Sequence, residues 1–195
     1  MKEPGILWAS VMNKSSTLLA KYEYRRRLPH LQKSGSALFV TFCSSGRILP
    51  GPARDIVLEH WLREGGVREF AGEGARATQP TAATQNGGEN SKAFTPRIHL
   101  HAVVVMPDHV HALLTPLRDP DGWSIPLVDI LQCCKGATAH RINRLLRLSG
   151  PVWQEESFDH VLRSEESFED KREYIRQNPV KAGLVERPEE YRWLG

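Results

Sequence analysis

No run of eighteen consecutive apolar residues occurs in the 195-residue chain, so the sequence offers no membrane span. Cysteine is scarce: there are three, two of them adjacent (Cys133 and Cys134), with no CxxC pair. An odd number without a paired spacing excludes a disulfide framework and predicts reduced thiols, as in a cytoplasm. The opening stretch, MKEPGILWASVMNKSS, has no long apolar core or small-residue cleavage site, so no signal peptide is expected. Net charge is also small, at +3. Charge alone does not announce a nucleic-acid partner. No internal repeat is visible. One segment lacks core-formers altogether: from Ala71 to Ser91 there is no Leu, Ile, Val or aromatic residue. Such a stretch cannot bury enough surface to offset its ordering entropy, and we read 66–96 as a flexible insertion in a single domain spanning 1–195.

What is present is locally organised. Cations cluster at Lys135, Arg141, Arg144 and Arg147 with no acid between them, and again at Arg25, Arg26 and Arg27. Basic stripes on a near-neutral domain suit a localised phosphate contact, although one stripe alone reads better as a solvated helix face. ALFVTFC (37–43) predicts a strand and DIVLEHWLR (55–63) a helix. RIHLHAVVVM (97–106), a Pro107-Asp108 turn and HVHALLT (109–115) predict a β-hairpin. A helix is expected over 124–148, with Leu127, Leu131, Cys134, Thr138, Ile142 and Leu145 inward, ended by Gly150-Pro151. FDHVL (158–162) reads as a short strand. Ser164 caps a last helix, expected to stop near Asn178 because Pro179 disfavours helical geometry in the residue before it. Strand, helix, hairpin, helix, strand, helix argues an α+β sandwich, an antiparallel sheet with helices packed on it in a ferredoxin-like order.

His109 and His111 are separated by one residue on a strand, so both imidazoles project to one face, which suits a divalent metal and equally suits two half-buried histidines with ordinary partners. His99 and His101 form a second pair. With a two-residue turn and unbroken alternation, that pair falls on the opposite face unless a bulge shifts the register. Trp153 and Phe158 suit core packing better than base stacking, and His160 reads as structural support.

VVVMPDHVHALLTP (103–116) resembles the histidine–hydrophobe–histidine hairpin of the single-tyrosine HUH transposases. GPVWQEESFDHVLR (150–163), YIRQNPVKAGLV (174–185), RRRLPH and ALFVTF resemble one branch of them, the REP-associated tyrosine transposases. The likeness spans most of the chain outside 1–20 and 64–96. It implies a ferredoxin-like enzyme that cuts and joins single-stranded or hairpin DNA, at palindromic repeats, through a phosphotyrosine. It places the metal histidines on His109 and His111, the amide ligand on Asn178 and the nucleophile on Tyr174. Asp108 stands where the family often has Asn, a departure expected to leave the chemistry untouched.

The residues themselves accord with those roles. Tyr174 and Asn178 are four apart on a helix and share a face. An amide oxygen beside two imidazoles suits Mg²⁺ or Mn²⁺ with open positions. Lys171 reaches the same face and is a candidate to stabilise the phenolate or touch the DNA backbone. A DNA partner implies a location at the nucleoid. A monomer and a homodimer exchanging the tyrosine helix both fit. Two rivals stay in view: a non-catalytic hairpin-DNA-binding relative, and a zinc hydrolase using all four histidines.

Overall fold

A computed structural model describes residues 35–66, 95–162 and 164–195. The arginines at 25–27 and positions 67–94 of the expected insertion lie outside the described residues. In chain order come β1 (Leu38–Cys43), α1 (Gly51–Glu64), β2 (Ile98–Val105), β3 (His109–Pro116), α2 (Leu127–Leu146), β4 (Phe158–Val161) and α3 (Glu165–Lys181). The strands form one sheet in the order β2-β3-β1-β4, every neighbour antiparallel. The units β1-α1-β2 and β3-α2-β4 therefore interleave, joined by the β2–β3 hairpin, as the expected ferredoxin-like arrangement requires.

Period-two alternation sets the layers. Leu38, Val40 and Phe42 of β1 are buried on one face, against Leu58 and Trp61 of α1 and Leu127, Ile130 and Leu131 of α2. Phe39 turns to the other face, with Leu113 and Val104, where Ile175 of α3 is fully buried. Residues 193–195 pair with the outer edge of β2, with Val103 N–H donating to Gly195 O and Val105 N–H to Trp193 O. That contact covers backbone groups an edge strand would otherwise leave open.

Three sequence expectations change. The ladder between β2 and β3 shifts register between Leu100 and Ala102, leaving His101 as the extra residue of a bulge. His99 consequently sits opposite Thr115, on the same face as His111 and not the opposite one, because one added residue inverts all later alternation. Helix α3 also runs past Asn178 to Lys181, through Pro179. Proline removes only its own N–H, and the last turn closes with Ala182 N–H donating to Asn178 O and Leu184 N–H to Pro179 O. The start was as expected: Ser164 Oγ accepts from Ser167 N–H. On α2, Leu145 is 48% exposed instead of facing inward, because four residues after the buried Ile142 it is Leu146 that packs on the core.

Lys135, expected on a phosphate track, is buried. Its ammonium donates to the carbonyls of Gln154, Glu155 and Glu156 at 3.0, 3.0 and 3.2 Å, pinning the loop before β4 onto α2. Three donors on three acceptors leave no proton for a phosphate. Lys135→Met should therefore lower stability by about 1.5–3 kcal/mol, read by urea unfolding. A variant as stable as the parent would contradict this role.

Candidate functional site

β3 starts at the sheet's rim with His109, and His111 follows on the α3 face, their ring centroids 4.6 Å apart. β1 supplies the floor. Thr41 lies opposite His111 in the ladder, and its hydroxyl oxygen is 2.7 Å from His111 Nδ1. Phe39 stacks on the same ring at 5.4 Å. His109 Nδ1 lies 2.7 Å from Asp108 Oδ1. With each Nδ1 engaged, the tautomer carrying its proton there leaves Nε2 of both rings as the lone pair for a cation. Asp108 is thus no bystander, contrary to the expectation from sequence: the turn's geometry sets its carboxylate against the first histidine.

His111 is buried, and burial is the main reason its pKa falls to about 4. The charges of His109 and Lys171 lower it further, while Asp108 opposes them. At neutral pH the ring is uncharged, as a ligand must be.

α3 lies over this floor. The Tyr174 ring meets His111 edge-on at 5.3 Å and Phe39 at 5.9 Å, and is 37% exposed. Asn178 follows one turn later and is half-buried. The ammonium of Lys171 sits 5.7 Å from the centre of the Tyr174 ring and 5.0 Å from that of Phe39. Lys181 reaches the Tyr174 ring at 5.4 Å. The sequence reading missed Lys181, although its spacing of seven from Tyr174 marks the same helix face; stopping the helix at Asn178 hid it. It also missed Thr41 and Phe39, whose roles depend on strand register.

Other candidates fall elsewhere. Arg141 pairs with Glu59 of α1, and Arg144 and Arg147 are exposed, all on the helix layer that covers the opposite face of the sheet. Trp153 is buried and its indole N–H donates to Thr138 Oγ1 at 2.9 Å, the core role expected. Phe158 is not core: it is 63% exposed. It pairs with Thr41, so His111, Thr41 and Phe158 form one row across three strands on the α3 face. His160 is exposed beside it, opposite Phe39. The His99 and His101 rings are 4.5 Å apart, with His101 Nε2 at 2.9 Å from Thr115 Oγ1 and its ring against Phe168. Thr115 is four residues from His111 along β3, about 13 Å at about 3.3 Å per residue. That separation, and not alternation, keeps the four histidines from sharing one ion.

Fold and site together define an α+β protein of ferredoxin-like order with a histidine–hydrophobe–histidine strand faced by a helical tyrosine. Among known proteins, the chain resembles the REP-associated tyrosine transposases. It is 28% identical over 90 residues to a Haemophilus influenzae protein named "Putative REP-associated tyrosine transposase", covering 44% of this chain and 51% of that one. A second Haemophilus influenzae protein, of unassigned function, is 26% identical over 108 residues, covering 47% and 60%. The chain thus spans about half to three-fifths of the curated relatives it matches. No family model matches. A solved REP-associated tyrosine transposase bound to a REP hairpin aligns with a TM-score of 0.59 and 16% identity, over 87% of this chain and 81% of that one, which shows the shared fold.

The depressed pKa of His111 has a consequence for stability. The unfolded ring takes a proton near 6.5, the folded one only near 4. Between these values the unfolded state binds more protons, so stability is lost as pH falls from about 6.5 towards 4, by roughly 3 kcal/mol at most from this group. In metal-free protein, urea unfolding across that window should show a smaller pH slope for His111→Gln than for the parent; equal slopes would contradict the assignment.

Proposed function

We propose that this chain is a metal-dependent single-stranded DNA transposase that cleaves and rejoins DNA at hairpin elements through a 5′-phosphotyrosine. The observation that carries the reading is the meeting of the Tyr174 ring with His111, beside two lysine ammonium groups. The printed names of the relative and of the hairpin-bound neighbour point the same way.

The donor set fits a cation. Two imidazoles, each with a partner on Nδ1, lie on one face of β3 with ring centroids 4.6 Å apart, and α3 carries Asn178 one turn after Tyr174. His109, His111 and Asn178 would hold Mg²⁺ or Mn²⁺. When bound, such an ion supplies Lewis-acid polarisation of a phosphate oxygen. The remaining work belongs to the chain. The Tyr174 hydroxyl loses its proton to solvent and its oxygen bonds to phosphorus. The bond to the 3′-oxygen breaks, and that oxygen leaves as a 3′-hydroxyl after taking a proton from water. The phosphodiester energy is retained in the tyrosyl link, so a second 3′-hydroxyl reverses the step and joins strands without ATP. Lys171 and Lys181 add positive charge around the phenol and the incoming phosphate.

Phe158 extends the site towards the DNA. It lies two strands from His111 in the same row, about 10 Å at about 4.8 Å per strand. An exposed ring at that distance from the histidines offers a surface on which an unpaired base can stack.

Incubating the protein with a labelled single-stranded palindrome and Mn²⁺ should yield a protein–DNA adduct stable to denaturation. Tyr174→Phe should abolish the adduct and retain binding. An adduct surviving that substitution sinks the mechanism, and binding with no adduct in the parent leaves a hairpin-binding protein. Phe158→Ala should weaken binding of the single strand by about 1–3 kcal/mol with the fold intact, measured by fluorescence anisotropy. Unchanged affinity would remove Phe158 from the interface.

A further inference from the structure

A second group of ligand-type side chains sits on the opposite side of the sheet, in the seam between α1 and α2. His60 and Glu64 are one turn apart on α1, and Cys133 faces them from α2. An imidazole nitrogen, a carboxylate oxygen and the thiol sulfur all lie within 4.8 Å of one another, the one group of three or more such side chains among the described residues. His60 is 1% exposed and Glu64 3%. Yet His60 Nε2 and Glu64 Oε2 are buried without a hydrogen-bond partner. The nearest approach, His60 Nε2 to Glu64 Oε1, is 3.7 Å, too long for a hydrogen bond. An unpaired carboxylate oxygen and an unpaired ring nitrogen side by side are costly in a folded interior, and a cation between them relieves both.

We propose that His60, Glu64 and Cys133 bind a zinc-class divalent transition metal. The donor set selects the class: imidazole, carboxylate and thiolate are zinc ligands, whereas magnesium and calcium take oxygen and reject sulfur. Cys133 is exposed, so the fourth position opens to solvent. Zinc bonds of about 2.0–2.3 Å set tetrahedral ligand atoms roughly 3.3–3.8 Å apart, so the seam closes by about an ångström on binding. Charge balances, since a carboxylate and a thiolate neutralise a dication despite the nearby charges of Arg63, Arg97 and Arg141.

Protons balance too. Arg63 now donates to His60 Nδ1 at 3.1 Å, which keeps the ring proton on Nε2. On binding, that proton shifts to Nδ1, the thiol proton leaves to solvent, and the exposed Arg63 guanidinium swings away. The ion would tie the last turn of α1 to α2. Because Glu64 O also accepts from Arg97 N–H at 3.2 Å, it would help fix where β2 begins.

Cobalt reports a thiolate ligand directly. The full chain, stripped with a chelator and free of DNA, is titrated with Co²⁺. The expected result is a near-ultraviolet thiolate-to-cobalt charge-transfer band that saturates at one equivalent and is bleached by Zn²⁺ but not by Mg²⁺. Cys133→Ser and Cys133→Ala, matched to the parent in far-ultraviolet circular dichroism, should lose the band. Cys43→Ser, which removes the thiol on the His109 face, and His109→Ala should keep it. Absence of the band in the parent, its survival without the Cys133 thiol, or its loss with Cys43→Ser instead would overturn the proposal.

Discussion

The pairing of Thr41 with His111 is the contact on which the α3 face depends. Register along β1 and β3 decides which side chains leave the sheet on which side. In the observed register, Leu38, Val40 and Phe42 enter the α1–α2 core while Phe39, Thr41, His109 and His111 turn towards α3. A slip of one residue in β3 would drive both imidazoles into that core and expose Val110 and Ala112. The apolar burial of the first face thus holds the polar constellation of the second, and Thr41 adds a hydroxyl that fixes the rotation of the His111 ring.

The helix above is fixed by a similar division. Ile175 is fully buried between sheet and helix, so its neighbour Tyr174 comes out at the margin, against His111 and half open to solvent. Pro179 sits one turn after Ile175, whose carbonyl would have accepted the missing N–H. The helix continues because residues beyond it find acceptors of their own. That extra turn carries Lys181 back to the phenol. Two ammonium groups around one ring, with an uncharged imidazole beneath, form a field that favours an anion approaching from solvent.

Much of this was legible in the sequence. The order of elements followed from period and punctuation: ALFVTFC reads as a strand and Ser164 as a cap wherever they are met. The shared face of His109 and His111 followed from alternation alone. What could not be read was cross-strand. The bulge at His101 carries no composition signal, and it reversed the placement of His99. Phe158 looked like core because it is aromatic on a strand, but β4 is a four-residue strand with one neighbour among the described strands. Lys135 looked like one of four equivalent cations. Only the loop at 154–156, folded back over α2, distinguishes it from Arg144.

The layers differ in how completely they are satisfied, and that difference bears on where chemistry can reside. Between α1, α2 and the sheet, large apolar side chains close the interior, and Trp153 finds Thr138 for its one polar atom. His60 and Glu64 break that rule within the same layer, leaving buried atoms unpaired where leucine would have packed. On the α3 face the imbalance is of another kind: the imidazoles have partners for one nitrogen each, and the aromatic and cationic groups around them meet solvent. A fold retains such incomplete satisfaction at a cost, since each unpaired group weakens an otherwise closed interior. Among the described residues Arg54 Nε, Trp61 Nε1 and Ser157 Oγ are also buried without a hydrogen-bond partner, but two of the incompletely satisfied places gather several nitrogen, oxygen or sulfur donors. Electrostatics therefore gives the same reason to look for an ion at both, on opposite sides of one sheet.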